Sequence, residues 1–280
     1  MILHRRAFLA GSAASVASSA LGVSPISPLV IEPQSRLTQG GWLRGQVWRG
    51  STALKLDGKP IAFASDWTFL LAFDRDAGPL ARIEVTLEGG QPSVRELTIA
   101  PRAWQIEHIN VARKPGGVTD EDYLRLRRAE LDRIAAARAL DTGAQGWRQG
   151  FIRPAPGRFS GRFGAQRIYK GEPAAYHSGL DIAGGAGTIY VAPADGVVTL
   201  AAESPFSLEG RLLMLDHGMG LNSAFLHASE LLVREGERVS QGTPLGRIGA
   251  SGRATGPHLH WSMKWRENRI DPLLLLPDSV

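Results

Sequence analysis

The 280-residue chain has no cysteine, which excludes a disulfide scaffold, a thiol nucleophile, an iron–sulfur cluster and a thiolate zinc site. A metal ion, if bound, would be held by His, Asp or Glu. Charge of one sign is also scarce: 32 basic against 27 acidic side chains leave a net +5. That surplus is too mild to indicate nucleic acid, and none is expected as a partner. It suits a diffuse anionic partner such as a cell-wall polymer or a membrane surface. Past residue 22 no window holds the roughly 18 uninterrupted apolar residues of a membrane span, so no stable membrane insertion is expected. What remains, 43% hydrophobic with 33 Gly and 17 Pro, fits one or two folded domains with ample core.

The first residues read as an address. Arg5-Arg6 followed by Ala7-Phe8-Leu9 and small residues has the layout of an export signal of the twin-arginine type, expected over residues 1–20. An exported protein of the periplasm or cell envelope follows. From Gly40 to about Val111 the pattern is β. Trp67, Phe69, Leu71 and Phe73 alternate with their neighbours, as do Ile83, Val85 and Leu87, which predicts a small β-sandwich over residues 37–112. Trp42, Trp48, Trp67 and Trp104 are expected in its core. Thr119 and Asp122 open a connector helix over 118–141, with Leu124, Leu131 and Ile134 at helical spacing, expected to pack between domains. Residues from Phe151 onward are Gly-rich and β again, with a tight hairpin expected over Val233–Gly242. They should form a second domain, over 150–272, with its own core.

Five of the seven histidines, His177, His217, His227, His258 and His260, fall within residues 177–260. His258-Leu259-His260 puts two imidazoles on one strand face while Leu259 turns to the other. His177-Ser-Gly-Leu-Asp181 offers a His and an Asp about 13 Å apart if extended, and a bend at Ser178-Gly179 can aim both at one point. His177, Asp181 and one of the final pair would make a three-ligand site with an open fourth position, the layout of catalytic zinc. The remaining histidines could then serve as base or oxyanion stabiliser. A carrier module needs an attachment lysine at a tight turn. Lys264 sits instead in a strand pattern.

The blocks Ser160-Gly-Arg-Phe-Gly164, His177-Ser-Gly-Leu-Asp181, Ala192-Pro-Ala-Asp195-Gly196, Asp216-His217-Gly218, Phe225-Leu-His227 and Gly252-Arg-Ala-Thr-Gly-Pro257-His258-Leu-His260 resemble the lysostaphin/LytM family of zinc metallopeptidases over about residues 150–272. The resemblance implies a β-sandwich of the duplicated-hybrid-motif type in a mainly β chain. It also implies a zinc-dependent endopeptidase that cuts peptide cross-links of bacterial peptidoglycan with metal-activated water, at one zinc per chain. It assigns the zinc to His177, Asp181 and His260, proton transfer to His258 and oxyanion stabilisation to His227, with His217 structural. The alternative within the family is a non-catalytic factor that activates other wall hydrolases. Phe225 stands where the family often carries Tyr, which would remove a hydroxyl from the groove. The N-terminal β-region would orient the enzyme, bind a regulatory protein or cover the groove.

Overall fold

The computed structural model describes residues 28–111 and 120–277. The expected export signal, residues 1–20, and the start of the connector, residues 118–119, lie outside the described residues. Among those described, no helix is long and apolar enough to cross a membrane.

The fold is mainly β, with one helix. In the N-terminal half the strands are β1 (Leu29–Ile31), β2 (Trp42–Val47), β3 (Ser51–Leu56), β4 (Lys59–Ile61), β5 (Thr68–Ala72), β6 (Leu80–Leu87), β7 (Ser93–Thr98) and β8 (Ile106–Ile109). They form two small sheets, β1-β2-β5 and β4-β3-β6-β7, so the first sheet reaches back ahead of residue 37. Alternating residues such as Ile83 and Val85 bury one face of β6 while Arg82 stays exposed, the period-2 pattern of a half-buried strand.

Helix α1 (Glu121–Ala139) begins at Asp120, whose side chain accepts a hydrogen bond from the Asp122 amide. The strands that follow are β9 (Arg158–Gly161), β10 (Gln166–Tyr169), β11 (Glu172–Pro173), β12 (Leu180–Ala183), β13 (Ile189–Val191), β14 (Gly196–Ala201), β15 (Arg211–Gly218) and β16 (Leu221–Ala228). The chain closes with β17 (Glu230–Leu231), β18 (Arg238–Val239), β19 (Pro244–Arg247), β20 (Leu259–Trp265) and β21 (Asn268–Ile270). One large sheet runs β18-β14-β15-β16-β20-β12-β9, with β21 beside β20, and a second layer is β13-β19-β17. Tyr190 of the second layer stacks on Phe225 of the first at 5.5 Å, both fully buried. The other face of the large sheet carries Asp181 and His260.

Four sequence expectations change. First, α1 does not lie between the halves. It packs on the open face of the large sheet, through Ile134 and Ala137 against Leu200, Phe206, Leu212, Met214 and Ala224. Leu124 and Leu131 are exposed instead, because the clamp is polar: Arg127 forks onto Glu209 at 2.6 and 2.7 Å, and Ser207 donates to buried Glu130. Second, of the four tryptophans only Trp42 is buried. Its indole N–H donates to the Leu274 carbonyl, and Trp104 sits edge-on to Phe163 with Arg102 over its ring.

Third, Val233–Gly242 is not a hairpin. Arg238–Val239 pairs with Gly196–Val197 across the large sheet, and turns fill the rest. Fourth, the halves share one continuous apolar core running from Leu29 to Leu276. Strand β8 pairs in parallel with β10, Arg102 pairs with buried Asp271 at 2.8 Å, and buried Arg44 donates to the carbonyls of Trp147 and Gln149. The C-terminal half therefore does not close its core alone.

Candidate metal centre and catalytic groove

Strands β12 and β20 pair antiparallel with Asp181 opposite His260. Leu180 and Ile182 on one strand, and Leu259 and Trp261 on the other, point into the core. The residues between them face the groove. Asp181 Oδ1 lies 2.9 Å from His260 Nδ1. The third member, His177, comes from the bend before β12, and its Nε2 is 3.0 Å from Asp181 Oδ1 and 3.1 Å from His260 Nδ1. These three residues are the metal-type cluster found among the described residues.

Two glycines make room for this convergence. A Cβ at Gly179 would meet the Trp261 carbonyl at 2.6 Å and His260 Nε2 at 2.7 Å, and one at Gly161 would collide with the Asp181 carboxylate. His177 is also fixed from behind: its Nδ1–H donates to the Arg162 carbonyl at 3.0 Å, which leaves Nε2 as the free lone pair.

The donor set fits zinc. Three atoms about 2.1 Å from a tetrahedral centre stand about 3.4 Å apart, close to the triangle seen. Burial works to raise the Asp181 pKa, but hydrogen bonds from His177 and His260 hold it well below the usual carboxylate range. Burial lowers the pKa of His260. An ionised carboxylate and a neutral imidazole are the forms that bind a metal. For His177, burial acts downward but the hydrogen bond and charge of Asp181 prevail and raise it, so a metal would displace a proton there.

His227 and His258 close the other side of the groove. His258 precedes β20; its Nδ1–H donates to the Gly256 carbonyl at 2.8 Å and its Nε2 lies 3.7 Å from Asp181 Oδ1. Strand alternation would send His227 into the core beside Phe225. A left-handed backbone at His227 (φ 68°), where β15 and β16 slip register, turns the ring outward. It then lies 5.0 Å from the His258 ring and 6.3 Å from that of His260, with Nδ1–H on the Ser251 carbonyl at 2.9 Å. Burial lowers its pKa, helped by the charges of His258 and His260.

Sequence patterns therefore named the five groups that meet here, and His217 is elsewhere. It is fully buried, donating from Nδ1 to the Asp195 carbonyl and accepting at Nε2 from Ser223 Oγ, each at 2.7 Å. The expectation for Phe225 fails: its ring faces the core against Tyr190, so a hydroxyl there would not reach the groove. The groove walls were missed. An open cavity of about 740 Å³ beside His177 and Asp181 is lined by Gln105, Arg162, Gln166, Tyr169 and Arg253 among others; Arg162 and Arg253 fall in the family-like blocks without an assigned role, and no motif marks the other three.

With the geometry in place, residues 175–272 match the sequence pattern of peptidase family M23. The match to that family's pattern is confined to this segment, about a third of the chain. It is 36% identical over 117 residues to the peptidoglycan DD-endopeptidase ShyA of Vibrio cholerae, a match covering 41% of this chain and 27% of that protein. It is 34% identical over 97 residues to the DD-carboxypeptidase/endopeptidase Mpg of Neisseria meningitidis, covering 35% and 22%. The chain thus spans about a quarter of the length of these curated relatives. A crystal structure described as a peptidase M23 from Pseudomonas aeruginosa aligns with a TM-score of 0.65 at 26% identity, over 85% of this chain and 94% of that one. That likeness extends well beyond the matched segment.

Proposed function

We propose that the chain is a zinc-dependent endopeptidase that hydrolyses peptide cross-links of bacterial peptidoglycan. The observation that carries this reading is the triangle of His177 Nε2, Asp181 Oδ1 and His260 Nδ1, with all sides between 2.9 and 3.1 Å, opening towards two further imidazoles. Both curated relatives are named as endopeptidases, one of them for peptidoglycan.

In this proposal His177, Asp181 and His260 hold one zinc ion. Zinc, when bound, supplies the Lewis acid that acidifies water and polarises a peptide carbonyl. His258 takes the proton at Nε2, since its Nδ1 proton is committed to the Gly256 carbonyl, and returns it to the leaving amine. His227 faces the same space. Because its Nδ1 proton is committed to Ser251, its Nε2 can donate to the carbonyl oxygen only in the protonated form. Burial disfavours that form in the resting site, so His227 would gain its proton as negative charge develops on the carbonyl oxygen.

An exported location follows from this reading, because the substrate lies outside the cytoplasm and Arg5-Arg6 heads a signal-like stretch. The N-terminal sheets would orient the domain or receive a regulatory protein. The test is digestion of purified peptidoglycan by the zinc-loaded chain, with mass spectrometry of the released muropeptides. Conversion of dimers to monomers without new glycan ends is expected. Zinc binding with unchanged sacculi would replace the enzyme by an activator of other hydrolases.

A further inference from the structure

Helix α1 brings a second kind of chemistry to the groove. A cavity of about 200 Å³ opens between the helix and the sheet face, walled by Ser178, His260 and Ser262 on one side and by Leu131, Ile134 and Arg138 on the other. Its apolar floor is Leu212, Met214, Ala224 and Leu226. Ser262 is the next groove-facing residue after His260 on β20, about 7 Å along the strand. The cavity is therefore within reach of one or two peptide residues from the metal ligands.

Its charge is one-sided. Arg127, Arg138, Lys264 and Arg269 line it against one acid, Glu209. Two of the four cations are already answered: Arg127 forks onto Glu209, and Lys264 holds Glu267 at 2.9 Å. Arg138 and Arg269 pair with no carboxylate among the described residues. Arg138 Nε is buried without a hydrogen-bond partner. Burial, together with the like charge of Arg269, weakens its hold on its proton, although the nearby charges of Glu267 and Glu209 act the other way. Arg269 lies 5.8 Å over the Tyr176 ring. Arg138 is the desolvated member, while Arg269 on β21 is exposed at the mouth of the cavity. A buried cation with no hydrogen-bond partner at Nε is unfavourable until an anion joins it. A planar fork of N–H donors is matched by a carboxylate, which accepts two of them at once.

We propose that Arg138 and Arg269 form a carboxylate-binding site at the helix end of the groove, and that the substrate is a peptide with a free carboxylate close to the bond attacked. The site makes α1 part of substrate recognition, although the helix lies outside the matched M23 segment.

This inference rests on the peptidase reading, and its test separates the two. The zinc-loaded full chain is given two cross-linked muropeptide dimers that differ only in having their free carboxylates converted to carboxamides in one. Values of kcat/KM are measured for the wild type, Arg138→Gln and Arg269→Gln. The wild type should prefer the carboxylate dimer by ~10- to 100-fold, chiefly through KM, as befits a charge-assisted hydrogen bond. Each variant should move the ratio towards one. A wild-type ratio near one, or a ratio unchanged in both variants, overturns the proposal. So does an equal rise on both dimers, which would make α1 a plug over the groove. Partial unfolding lowers both rates alike and leaves the ratio intact. If the wild type cuts neither dimer, the peptidase reading fails and calorimetric binding of the same dimers decides the site. Tighter binding of the carboxylate form, lost in both variants, sustains it; equal binding removes it.

Discussion

Asp181 and His260 sit directly opposite each other in the β12–β20 register, with Oδ1 and Nδ1 2.9 Å apart. Hydrogen-bonded strands hold such a pair far more tightly than loops could, so two of the three candidate ligands are preset by the sheet. The third, His177, depends on the bend at Ser178-Gly179 and on the Arg162 carbonyl behind its ring.

Gly179→Ala should therefore damage the metal site without touching a ligand. Its added methyl would strike the Trp261 carbonyl and His260 Nε2. Zinc affinity is expected to fall by about 10- to 100-fold, as for other groups that support metal ligands. Competition with a chromophoric chelator measures it, and unchanged affinity would mean that the bend is not what aims His177.

The shared core makes the N-terminal half a structural requirement. Residues 151–280 alone would expose the Leu274 carbonyl that receives the Trp42 indole, and would leave buried Asp271 without Arg102. That fragment should melt well below the full chain or aggregate. Asp271→Ala offers the same test in one residue: it breaks the Arg102 pair and frees the Leu273 amide, at a cost of about 3 kcal/mol. Denaturant unfolding of the full chain and the variant checks it.

Stability should also carry a signature of His217. Burial pushes its pKa down to about 4, below its unfolded value of about 6.5. The folded state therefore binds fewer protons, and its contribution is fully present above about pH 6.5 and is lost as pH falls to about 4, amounting to about 3 kcal/mol. In His217→Gln the unfolding free energy should fall less steeply over that window. Parallel curves for the two proteins would show that His217 does not titrate with unfolding.

The meeting of His177, Asp181 and one of the His258–His260 pair was legible from local rules, whereas the choice of His260 within the pair came from the family resemblance. A His-x-His on a strand shares a face, and His-Ser-Gly-x-Asp holds its own bend. The aim of His227 was not, since a register slip and a left-handed backbone reverse the alternation that Phe225 obeys. Nor was the buried stripe of α1. Leu124 and Leu131 fit helical spacing, yet Arg127 and Glu130 dock the helix through partners some 80 residues away. Contacts such as Trp42 to Leu274, 232 residues apart, join the two halves without leaving a trace in either local pattern.

The division of labour within the histidine pair has its own prediction. His258→Ala and His227→Ala should keep zinc and fold while turnover drops by roughly 10²–10⁴-fold, the usual contribution of a positioned acid–base group. Metal-free His258→Ala protein with metal-replete His260→Ala protein would exchange their roles.

In the proposed function His177, Asp181 and His260 hold one zinc ion that works on peptidoglycan. This is tested most directly by measuring zinc content and sacculus hydrolysis together on the wild-type chain and Asp181→Ala. One zinc per chain with release of monomeric muropeptides in the wild type, and loss of both in the variant, is the predicted result. Full zinc occupancy in Asp181→Ala, or undiminished hydrolysis without zinc, would contradict it.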